Sequence, residues 1–213
     1  MTIFLFQGAL PSEETLRLWC KKVDCSPGFS ATALDMISRK VEDQKRVGGR
    51  VLVSLCLDEM SLRKFVSYSE NKFHGNVDLG DGIQSNEQAT HALVMVVVSY
   101  NMSWKLPIAH FVTKTIPSMD LASLVRLAVV YLNETGAILL NLTMDNAATN
   151  VSMINILGAN VSCYSKLRIS TQERNILNIP ILVILDPCHV LKLVRNTLHD
   201  FGRIKVSSWI DWF

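Results

Sequence analysis

Three apolar runs in this chain each end on an aspartate, and no other feature constrains the fold as strongly. Arg50-Val51-Leu52-Val53-Ser54-Leu55-Cys56-Leu57 runs into Asp58-Glu59-Met60, Ile138-Leu139-Leu140-Asn141-Leu142-Thr143-Met144 into Asp145, and Ile181-Leu182-Val183-Ile184-Leu185 into Asp186. Short runs rich in Val, Leu and Ile that stop abruptly at charge predict buried central strands rather than helices. A carboxylate at such a strand end sits at the lip of its sheet. If the strands lie parallel and side by side, Asp58 and Asp145 converge on the edge where open α/β sheets place their sites. Paired carboxylates there suit a divalent metal ion.

The segments between these runs supply the rest of a sheet and its helices. Pro11-Ser12-Glu13-Glu14 predicts a helix capped by Ser12, with Leu16, Trp19, Cys20 and Val23 on one face and Ser26-Pro27-Gly28 as its stop. A second helix from Ser30 carries Leu34, Ile37 and Val41 and ends before Gly48-Gly49, so residues 1–47 form an N-terminal helical segment. Phe73 to Gly82 is a Gly/Asp/Asn-rich turn region. His91 to Tyr100 and Trp104 to Thr115 are strand patterns, with Pro107 marking an edge, and with Val51 to Leu57 they make an antiparallel three-stranded front half.

Ser118 is placed to cap a helix whose apolar positions Leu121, Leu124, Val125, Ala128 and Leu132 keep helical spacing until Gly136. Asn146 is placed to cap the next, through Val151, Ile154 and Leu157 to Gly158, and Pro187 opens the last after a polar linker at 173–178. The order is therefore three antiparallel strands followed by alternating helices and strands. That is the α/β topology of a ribonuclease-H-like mixed sheet, here over residues 48–186, with an N-terminal helical appendage. In it the first and fourth strands are central neighbours, and they end on Asp58 and Asp145.

Bulk properties narrow the setting. No apolar run approaches the roughly 18 to 20 residues that span a bilayer, and the N-terminus lacks the basic region of a signal peptide, so a soluble protein without a membrane partner is expected. The five cysteines are scattered without a C-x-x-C pair, which predicts reduced thiols in a cytosolic or nuclear setting and no structural zinc site. Five N-x-S/T triplets, starting at Asn101, Asn133, Asn141, Asn150 and Asn160, fall partly where strands or buried turns are expected. A net charge of +2 neither announces nor excludes a nucleic-acid binder.

Five short motifs in this order resemble the P element transposase family, which includes the THAP-domain transposases of animals. They are Leu10-Pro11-Ser12 through Trp19 with Ser26-Pro27-Gly28-Phe29, then Leu57-Asp58-Glu59-Met60, Phe73-His74-Gly75, Asp145-Asn146-Ala147-Ala148-Thr149-Asn150, and Asp186-Pro187-Cys188-His189 through Asn196. The resemblance implies a nuclear cut-and-paste DNA transposase core that uses Mg²⁺ or Mn²⁺, acts on transposon-end DNA and self-associates. It further implies a catalytic set of two Asp and a later Glu, the first two falling on Asp58 and Asp145. The later Glu is expected beyond a GTP-binding insertion, whose start would be residues 187–213, so that this chain corresponds to a core fragment. GTP is accordingly an expectation for a longer protein. Asn146 departs from the family, in which Gly is common after the second Asp.

Each candidate residue also has a plain structural reading. Asp58 and Asp145 could simply cap turns, and Asp186, just before a proline-started helix, is foremost a cap. Glu59 points to the other side of its strand, since adjacent strand residues alternate faces. His189, Lys192 and Arg195 share a helix face that suits phosphate of GTP or DNA, or is just a solvated basic face. His74 is expected to steady a turn, and the four tryptophans to pack rather than stack on bases. Two rivals to an active transposase core remain: a catalytically silent domesticated module that binds DNA or protein, and an RNase-H-like nuclease, which would need further acids that the chain does not offer.

Overall fold

The computed structural model describes residues 11–21, 26–69, 72–80, 82, 85–160, 163, 166–169 and 180–202. In chain order the elements are α1 (Glu13–Lys21), β1 (Gly28–Phe29), α2 (Ala31–Arg46), β2 (Leu52–Ser61), β3 (Ser67–Ser69), β4 (Lys72–His74), β5 (His91–Ser99) and β6 (Lys105–Thr113). There follow α3 (Ser118–Thr135), β7 (Ile138–Met144), α4 (Ala148–Ile156), β8 (Arg168–Ile169), β9 (Ile181–Leu185) and α5 (Pro187–Phe201).

Seven strands form one mixed sheet in the order β1-β6-β5-β2-β7-β9-β8, and β3 and β4 form a separate hairpin. β2, β5 and β6 pair antiparallel as expected. β2–β7 and β7–β9 are parallel, which puts the strand that carries Asp58 and the strand that ends just before Asp145 side by side at the centre. β2 does not stop at Asp58 as the sequence suggested: it continues to Ser61, because Asp58 to Ser61 keep pairing with β5. This is a ribonuclease-H-like arrangement. Pro107 lies on β6 beyond its short pairing with β1 and opposite Val96 of β5, at the register shift between β5 and β6.

Alternation along the strands selects the face that the helices cover. Leu55 and Leu57 of β2, Leu93, Met95 and Val97 of β5, Phe111 of β6 and Leu142 and Met144 of β7 are buried in one core. Ile37 and Val41 of α2 enter that core, as do Leu121, Val125, Ala128 and Leu132 of α3 and Ile154 of α4. α2 thus packs into the sheet's own core, over β6 and against α3. On the opposite face Val94, Val96 and Val98 are half-buried.

Local chemistry accounts for the helix ends. Ser12 Oγ accepts from Thr15 N at 3.2 Å and Ser30 Oγ from Ala33 N at 3.2 Å, the expected caps. Two cap assignments change. α3 starts after Pro117 with no side-chain cap, so Ser118 is its first residue, because the proline's extended backbone already supplies the turn into the helix. α4 starts after Ala147 with no side-chain cap, and exposed Asn146 does not serve. There the Asp145 carboxylate accepts from Ala147 N at 2.9 Å, a turn that leads the chain into the helix. Gly136 ends α3 at φ 79°, a left-handed conformation that favours glycine.

Three further points differ from the sequence reading. Gly28-Phe29, expected only to stop a helix, is an edge strand, with Phe29 packed edge-on to Phe111 and Tyr131. The Phe73 region contains β4 rather than turns alone, and Tyr68 and Phe73 lie across the hairpin with ring centroids 4.9 Å apart. Leu16, expected on a buried face of α1, is exposed. Val23, the linker at 173–178, Trp209 and Trp212 lie outside the described residues.

Candidate functional site

β2 and β7 deliver the two central acids to one place. Ser54 pairs with Asn141, Leu55 with Leu142 and Cys56 with Thr143. Two residues beyond the last of these pairs stand Asp58 and Asp145, on the same side of the sheet by alternation. Both line a cavity of about 250 Å³ together with Leu57, Glu59, His91, Lys114, Thr149 and Asn150. Leu93, Ile116 and Leu121 form its apolar floor.

Each carboxylate is held by one oxygen. Asp58 Oδ1 accepts from the N–H of Glu59 at 2.9 Å. Asp145 Oδ1 accepts from Ala147 N at 2.9 Å and Asn150 Nδ2 at 2.6 Å. Among the described residues the second oxygen of each carries no hydrogen bond. The pair therefore presents hard oxygen donors, already oriented, to a cavity that reaches solvent. That chemistry suits Mg²⁺ or Mn²⁺.

The other acids and cations fall elsewhere. Glu59 accepts from Thr113 Oγ1 at 3.2 Å, a contact on the strand's alternate pleat, although it still borders the cavity. Asp186 caps α5, accepting from Cys188 N at 3.0 Å and His189 N at 3.2 Å. On α5, His189 is half-buried and Lys192 and Arg195 are exposed, and none of the three lines the cavity. Arg195 donates to Asn196 Oδ1. No group of three His, Cys, Asp or Glu side chains is arranged to hold a metal ion among the described residues.

Lys114, Asn150 and His91 were not singled out from sequence, though all three border the cavity. Asn150 carried a usable signal, five residues after Asp145 on the first turn of the following helix. Lys114 and His91 reach the site only because β5 pairs with β2 and β6 with β5. No described helix is long and apolar enough to cross a membrane.

Three similarities bear on this geometry. A model of the TNP-like, RNase H N-terminal domain family matches residues 25–158. The human DNA transposase THAP9 is 26% identical over 206 residues, which are 94% of this chain and 22% of that protein. The Drosophila P element transposase in its strand transfer complex has a similar fold, with a TM-score of 0.63 and 24% identity over 90% of this chain and 38% of that one. This chain thus spans less than a quarter of the THAP9 sequence. With the family match covering the sheet from β1 to the end of α4, and both aspartates inside it, the chain belongs to the TNP-like RNase H domain family of P-element-like transposases.

Proposed function

We propose that this chain is the front part of the catalytic core of a P-element-type DNA transposase, with Asp58 and Asp145 as its first two metal ligands. The observation that carries this reading is the placement of the Asp58 and Asp145 carboxylates, from neighbouring central strands, on one cavity. Divalent ions bound there would activate a water or 3′-hydroxyl and stabilise the leaving oxygen at a scissile phosphate. The chain's own work is to hold the acids aimed. Glu59 N, Ala147 N and Asn150 Nδ2 do this by engaging one oxygen of each.

The partner is transposon-end DNA and the setting the nucleus. His189, Lys192 and Arg195 lie away from the cavity, on a helix suited to phosphate of DNA or of GTP in a longer protein. Two carboxylates hold an ion loosely, and two-metal chemistry calls for a third. The alternative is a catalytically silent module that binds DNA or protein.

Mn²⁺ binding by electron paramagnetic resonance tests the site directly, with D58N and D145N as controls. The 213-residue chain should bind Mn²⁺ weakly and nick DNA little, and a longer chain carrying a downstream acid should gain metal-dependent nicking. Binding that survives both substitutions removes the site. A longer chain that binds Mn²⁺ through Asp58 and Asp145 yet never cuts supports the silent module.

A further inference from the structure

β2 and β7 do not run in simple register. Val53 pairs with Leu139 but Ser54 pairs with Asn141, so Leu140 is an extra residue on β7. A bulge of this kind changes which face every later residue occupies, because side chains alternate with a period of two. Without it Ser54 would face Leu140, Cys56 would face Leu142, and Asp58 would face Met144. Asp145 would then turn toward the helix-covered face, away from Asp58. With it, Ser54, Cys56 and Asp58 share a face with Asn141, Thr143 and Asp145.

The first residue after the bulge is Asn141, only 2% exposed. Its Nδ2 donates across the strands to Ser54 Oγ at 2.9 Å and along its own strand to Thr143 Oγ1 at 2.8 Å. Its Oδ1 accepts from Tyr100 Oη at 2.6 Å. Ser54 Oγ and Thr143 Oγ1 are themselves 3.4 Å apart. All of these groups lie on the face that leads to the two acids, and Thr143 is the residue between Asn141 and Asp145 on that face.

We infer that Asn141 is a positioning residue, a register lock that makes Asp58 and Asp145 neighbours by tying the bulged β7 to β2. A buried amide is favourable only where its donors and acceptor are met. In the unbulged register Asn141 and Thr143 would turn in beside Leu55 and Leu57, and these bonds would be lost. The same network therefore stabilises one register and penalises its one-residue alternative. This inference rests on the reading that the two acids act together, but the register itself is measurable without a metal.

The test uses the labelled 213-residue chain and two readouts: interstrand backbone NOEs between β2 and β7, and Mn²⁺ affinity from water-proton relaxation. N141L should stay folded but show a second or shifted set of β2–β7 NOEs, and Mn²⁺ affinity should fall about tenfold or more, the scale expected when a group that orients a metal ligand is lost. The exchanged pair S54N/N141S rebuilds the amide–hydroxyl tie from the other strand and should restore both readouts. If N141L does not fold, S54A, which deletes one acceptor only, is read in the same way. A single wild-type NOE pattern and wild-type Mn²⁺ affinity in N141L, or failure of the exchanged pair to restore register, overturns the lock. If the wild-type chain binds no Mn²⁺ through Asp58 and Asp145, the metal reading fails, and the NOEs alone still decide the lock.

Discussion

Thr143 stands opposite Cys56 across the parallel pair of β2 and β7, and each lies two residues before an aspartate. Because the side-chain period of a strand is two, that one pairing brings Asp58 and Asp145 together at the sheet's edge. If they share an ion, either D58N or D145N alone should abolish nearly as much Mn²⁺ binding as the double variant, since groups acting as one unit are not additive. Two independent, additive losses in a paramagnetic-resonance titration would mean that the acids do not act on a common ion.

Asp186 has the same sequence form as the other two acids but a different job. Both of its carboxylate oxygens accept from backbone N–H groups at the start of α5. D186A should lower stability by about 1 kcal/mol, the usual loss of an N-cap, and leave Mn²⁺ affinity unchanged. A fall in metal affinity comparable to D58N would give Asp186 a place in the site.

Ile37 of α2 is fully buried in the core shared with the sheet. I37A should therefore destabilise the whole chain by about 2–5 kcal/mol, as large-to-small core changes do, in a single urea transition. A first transition confined to α2, with the sheet unaffected, would show that this helix is only docked on the surface.

Gly75 holds φ 100°, and a Cβ there would overlap the carbonyl oxygen of Phe65. Gly82 has φ 79° with open space around it. G75A should cost about 1–3 kcal/mol through backbone strain plus displacement of Phe65, whereas G82A should cost only about 1 kcal/mol for the left-handed conformation. Equal effects in thermal melts would remove the close approach of the two hairpin arms as the reason for glycine at 75.

Much of the candidate site was legible in local sequence because its acids follow apolar strand runs. A run of β-branched and leucine side chains that reaches Asp locates a strand without knowledge of neighbours, and at Asp145 and Asp186 also its end, whereas β2 runs on past Asp58 to Ser61 because β5 continues to pair with it. Capping chemistry was legible on the same ground at Ser12, Ser30 and Asp186, where donor and acceptor are within three residues of each other. It misled at Ser118 and Asn146, where a suitable residue type stood one position away from a turn set by Pro117 and by the Asp145 carboxylate.

The sequence by itself determined where β2, β5, β6, β7 and β9 lie and the order in which they arrive, because hydrophobic period and propensity are properties of a few consecutive residues. Only the tertiary structure decided the extra residue at Leu140, the Asn141–Ser54 tie across 87 positions of chain, and the arrival of His91 and Lys114 at the cavity wall. Those depend on which strand lies beside which and in what register. Register is an energy difference between two whole pairings, so no single stretch of the chain contains it.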